Sequence, residues 1–77
     1  MTMLSELASG TSACVASLDQ LPAELAQRMR CLGFAPGAEV TTVRRAPLGD
    51  PVVYRVCDAE ICLRASEARR IEVTALS

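Results

Sequence analysis

The sequence predicts a mainly β domain: a small closed barrel of about five short strands with one α-helix inserted after the first. Three observations carry that expectation. Short apolar runs recur along the chain, Gly and Pro separate them as turns, and only one stretch repeats its apolar residues with a helical period. At 77 residues the chain is too short for a two-sheet sandwich, and closing the sheet removes edges that invite aggregation.

Leu4 to Leu7 reads as a short helical turn that ends at Ser9-Gly10. Thr11 to Leu18 reads as the first strand, with Cys14, Val15 and Leu18 among small residues. Pro22 to Leu32 is the one clear helix. Pro22 suits a first turn, where a missing N–H is not needed. Leu21, Leu25, Met29 and Leu32 form its apolar stripe, expected to pack on the core, and Cys31 lies off that stripe. Gly33 is placed to end the helix in a left-handed conformation, with Phe34 reaching back toward Met29. Ala35-Pro36-Gly37-Ala38 has the proline and glycine of a type II turn.

Glu39 to Arg45 reads as the next strand, and Pro47 to Pro51 as a loop. From Pro51 to Cys57, Val52, Tyr54 and Val56 point one way while Val53, Arg55 and Cys57 point the other. With Asp58-Ala59 as a two-residue tip, the returning strand Glu60 to Arg64 sets Val56 against Ile61 and Tyr54 against Leu63. Ser66 is placed to cap a single turn through Arg69, and Ile71 and Val73 make a last strand.

Composition excludes several classes. Hydrophobic residues are 51% of the chain, too many for a disordered segment. Tyr54 and Phe34 are the only aromatics, so aliphatic residues build the core. The formal charge is −1, from 8 arginines against 9 acidic residues. That balance and the missing aromatic platform argue against nucleic-acid binding, including through Arg44-Arg45 and Arg69-Arg70. No apolar stretch approaches membrane-spanning length. Met1 to Leu7 lacks the features of a secretory signal, so a single domain over 1–77, resident in the cytosol and not membrane-inserted, is expected. There Cys14, Cys31, Cys57 and Cys62 are expected as free thiols.

The run Leu32-Gly33-Phe34-Ala35-Pro36-Gly37-Ala38-Glu39-Val40 resembles the signature of FeoA domains. So do Arg44 to Pro51, then Ile61-Cys62-Leu63-Arg64, Glu67-Ala68 and Ile71-Glu72-Val73. The order and spacing of these motifs, from about Leu4 to Val73, make the resemblance specific. It implies an SH3-like barrel with a helix after the first strand. It also implies an accessory, regulatory role in bacterial ferrous iron uptake, through contact with the cytosolic regions of the FeoB membrane transporter. Asp58 stands where the family often has Gly, and Asp tolerates a left-handed turn better than most residues.

The candidate sites follow from residue types. The chain has no His and no Lys, no Ser has a base at a recognisable spacing, and a Cys nucleophile would have only a single arginine to activate it, Arg55 across from Cys62, so no enzyme activity is expected. Nothing resembles a phosphate-binding loop. No cofactor is required. In the register above, Cys57 faces Glu60 and Cys62 lies diagonally on the same face, a set able to hold Fe2+ or Zn2+ though short of the usual four ligands. A metal carrier or sensor is therefore the alternative function. The loop Pro47, Leu48, Gly49, Asp50, Pro51 is the candidate partner contact: Leu48 either projects from it as an anchor or folds back over the barrel. Val53, on an outer strand face, suggests a homodimer contact.

Overall fold

The computed structural model describes residues 2–76, so Met1 and Ser77, the ends of the expected domain, lie outside the described residues. Six antiparallel strands are present among the described residues: β1 (Thr2–Met3), β2 (Ser12–Ser17), β3 (Glu39–Arg45), β4 (Val52–Val56), β5 (Ala59–Leu63) and β6 (Glu72–Ala75). They form one sheet in the order β1-β6-β2-β3-β4-β5. The expected count was one strand short, because β1 is only two residues long and is defined by its partner β6 rather than by alternation.

No ladder joins β1 to β5, so the described sheet is not closed by hydrogen bonds as the barrel expectation required. Local structure packs at the seam instead. A 3₁₀ turn at Leu4–Glu6 follows β1, and the short helix α2 (Ala65–Ala68), which follows β5, packs against it. The Leu4 N–H donates to the Ile71 carbonyl at 2.8 Å. The Arg45 guanidinium donates to the carbonyls of Ser5 and Leu7. One arginine of the Arg44-Arg45 pair thus ties the N-terminal turn to β3.

The main helix, α1, spans Ala23–Cys31, with Pro22 at its N-cap and Leu32 at its C-cap. Its end follows the expected Schellman pattern: the Phe34 N–H donates to Met29 O at 2.8 Å and the Gly33 N–H to Arg30 O at 3.0 Å. Gly33 has φ +106° there, and Phe34 is fully buried. The type II turn also forms, with Gly37 at φ +92° and the Ala38 N–H on Ala35 O. The buried face of α1 is rotated from the expected stripe. Ala26 and Met29 are buried, Leu25 packs partly against the core, and Leu32 is 48% exposed. Leu32 is the last residue before the chain turns away at Gly33, so its side chain passes the edge of the packed face.

The core is aliphatic around Tyr54 and Phe34, with Leu4, Leu18, Ile71, Val15, Val40, Val52 and Val56 fully buried. The β4 alternation is as expected: Val52, Tyr54 and Val56 point in, and Arg55 and Cys57 point out. The β4–β5 register differs. Val56 pairs with Ala59, Tyr54 with Ile61 and Val52 with Leu63, so the tip is Cys57-Asp58 rather than Asp58-Ala59. The partners move by two residues, which preserves the face of every side chain. Cys57, not Asp58, takes the positive φ, at +55°. Ser66 does not cap α2. The Glu67 carboxylate accepts from the Arg64 N–H at 3.0 Å, and Asp50 Oδ1 accepts from the Ala65 N–H at 2.9 Å.

Candidate functional site

The loop between β3 and β4 is short, apolar at its tip and internally braced. The Gly49 N–H donates to Ala46 O at 2.7 Å, closing a turn over Pro47 and Leu48, and Gly49 itself takes a positive φ, +84°, where the chain turns back toward β4. The Ala46 N–H donates to Pro51 O at 3.0 Å across the loop base. Asp50 reaches outward to cap α2 through Ala65, so the loop is also tied to the C-terminal part of the chain. Above this base Leu48 is 95% exposed. It does not fold back over the sheet: of the two arrangements open to it, it adopts the projecting one. Pro47, Asp50 and Pro51 are exposed around it, with Gly49 partly buried.

The cysteine–glutamate set is dispersed by the register. Glu60 lies opposite Arg55, not Cys57, and its carboxylate pairs with Arg55 at 3.0 Å and with Arg44 at 3.8 Å. Cys62 lies opposite Val53. Cys57 sits at the hairpin tip with its Sγ against Gly33, so close that a Cβ on Gly33 would lie 3.3 Å from it. Among the described residues no three metal-ligating side chains gather in one place. Cys31, Cys57 and Cys62 are exposed free thiols and Cys14 is half-buried. The tip lies one residue earlier than composition suggests, with Cys57 as its first residue. Nothing in its side chain favours positive φ, so that signal was missing.

Two features were not anticipated. First, a crevice of about 150 Å³ runs between α1 and β5, with Leu25, Met29, Leu32 and Ile61 in its wall. Second, Thr42 and Tyr54 face each other across β3 and β4, and both hydroxyls are buried without a partner among the described residues. Burial raises the Tyr54 pKa above its ordinary 10.0, opposed by the nearby Arg45 charge. The phenol therefore keeps its proton at neutral pH. Among the described residues no helix is long and apolar enough to cross a membrane.

Comparison with known proteins places these features in a family. The FeoA domain matches residues 2–75 of the chain. A fusion of Fe(2+) transport protein A with the Fe(2+) transporter FeoB, from Porphyromonas gingivalis, is 38% identical over 74 residues. That match covers 96% of this chain but only 9% of the fusion protein. The solution structure of FeoA from Chlorobium tepidum superposes with a TM-score of 0.93 at 34% identity, over 99% of this chain and 71% of that one. FeoA from Stenotrophomonas maltophilia, solved in complex with zinc and described as an SH3 domain protein, gives a TM-score of 0.82 at 42% identity, over 95% and 89% of the two chains.

Proposed function

The chain belongs to the FeoA family, associated with ferrous iron transport, and on that premise we propose that it acts as a non-catalytic docking module on a FeoB-type transporter. The observation that carries the reading is Leu48, 95% exposed on a loop braced at its base and tied to α2. An apolar side chain on a rigid loop binds with little ordering entropy, which is how a single anchor comes to dominate a contact. The fusion of a relative's FeoA segment to FeoB supports the choice of partner, since a covalent link keeps two interacting domains at high effective concentration. The regulatory action is a population shift: the module favours whichever transporter conformation offers Leu48 the better pocket. The contacted regions are cytosolic, where reduced thiols such as Cys31, Cys57 and Cys62 persist. The dispersal of Cys57, Glu60 and Cys62 gives no matching support to a metal-carrier role.

Co-purification with the FeoB transporter of the same organism, in detergent at moderate salt, tests this. Stoichiometric recovery is expected with the wild-type chain and loss of recovery with a folded Leu48→Asp variant. Equal recovery of both removes the loop from the mechanism. No recovery of wild type, with or without nucleotide, removes stable docking.

A further inference from the structure

The described sheet ends at β5 with no strand on its outer side. Which of its backbone groups face outward follows from the ladder. Thr42 on β3 uses both backbone groups toward the β2 side, donating to Thr11 O at 2.9 Å and accepting from the Gly10 N–H at 2.7 Å. Residues in an antiparallel ladder alternate between facing one neighbour and the other. Tyr54, opposite Thr42, therefore bonds toward β5, and Ile61, opposite Tyr54, bonds back toward β4. That leaves Glu60 and Cys62 with N–H and C=O groups directed away from the sheet, on two exposed residues. The next residue of that parity, Arg64, is engaged, its N–H on Glu67 and its carbonyl accepting from Glu67 and Ala68.

We propose that β5 is a self-association edge, pairing antiparallel with β5 of a second copy so that Glu60 of each faces Cys62 of the other. Only this two-fold register engages both free residues of both edges. Pairing Glu60 with its own copy would oppose two carboxylates, and pairing Cys62 with its own copy would call on the occupied backbone of Arg64. The side-chain charges agree with the register. It sets Asp58 of each copy opposite Arg64 of the other; both are exposed, and neither forms an ion pair among the described residues. Glu60 stays paired to Arg55 and Arg44 on the outer face. The joined edges also lie beside the crevice under β5, whose wall includes the half-exposed Leu32. The edge is short, so association is weak and concentration-dependent. The inference does not depend on docking to a transporter.

Sedimentation velocity under reducing conditions, from micromolar to millimolar chain, tests it. A reversible dimer is expected at the upper end. Asp58→Arg weakens dimerisation on the order of tenfold, since two attractive pairs become repulsive, and the charge-swapped double variant Asp58→Arg/Arg64→Asp restores it. Cys62→Pro abolishes it, because proline removes an N–H the monomer's ladder does not use; circular dichroism checks its fold, and the charge-swap pair carries the test if that variant unfolds. A chain that stays monomeric throughout overturns the proposal. So does a dimer whose affinity is unchanged by Asp58→Arg.

Discussion

The two hairpins that share β4 are built for different ends. The loop from β3 to β4 is long enough to be braced by its own backbone and by Asp50, and it leaves Leu48 projecting. The tip from β4 to β5 has two residues, places Cys57 at positive φ and sets its thiol close to where a side chain on Gly33, at the end of α1, would lie. One turn presents a side chain and the other locks a register. Loop length decides between them: a two-residue tip fixes which residues pair, whereas a longer loop fixes a surface.

The largest effect is expected where the tight tip meets the helix. Gly33→Ala meets a left-handed backbone and a crowded Cβ at once, and is expected to destabilise by about 1–2 kcal/mol in urea unfolding. In a Cys57→Ala background that loss should shrink by about 0.5 kcal/mol, the part due to contact rather than backbone. An unchanged loss would show that the tip does not press on the helix end. At the braced loop, Asp50→Ala should lower stability by about 1 kcal/mol by uncapping α2, while Asp50→Asn, which keeps an acceptor, should lose less. If both lose equally, the carboxylate acts other than as a cap.

Tyr54 lies on the strand common to both hairpins. Because its hydroxyl lacks a partner among the described residues, Tyr54→Phe should change stability by less than about 1 kcal/mol at neutral pH. Above its ordinary pKa of 10.0 the unfolded chain releases the phenolic proton first, so stability falls as pH rises toward the higher folded value. Tyr54→Phe should remove that alkaline loss; a variant with the same alkaline profile as wild type would assign it to other groups. The smallest effect on stability is expected from Leu48→Asp, within about 0.5 kcal/mol, since the side chain touches little. A larger loss would mean that Leu48 supports the loop rather than a partner.

Much of this was legible in the residues. The helix end was readable because Leu32-Gly33-Phe34 combines a left-handed cap with an apolar residue after it, and local chemistry alone fixes that arrangement. The inward faces of β4 and β5 were readable because period-two alternation survives a two-residue error in pairing. The pairing itself was not, since Cys57 carries no turn signal, and its closeness to Gly33, far away in sequence, is visible only in three dimensions. The same limit hid the cap on α2: Ser66 looked suitable locally, but an aspartate fifteen residues upstream holds the Ala65 N–H. The open seam went unread because β1 exists only through β6. At the candidate site, composition marked the loop, whereas the choice between a projecting and a folded-back Leu48 required three dimensions.

The bond from Ala65 to Asp50 has a practical consequence. That amide proton sits on α2, yet its acceptor belongs to the β3–β4 loop, so its exchange with solvent reads the shape of a loop elsewhere in the chain. Anything that reshapes the loop while seizing Leu48 should speed deuterium uptake at Ala65, and anything that clamps the loop as it stands should slow it. A single backbone proton thus serves as a remote gauge of occupancy, visible without labelling the loop at all.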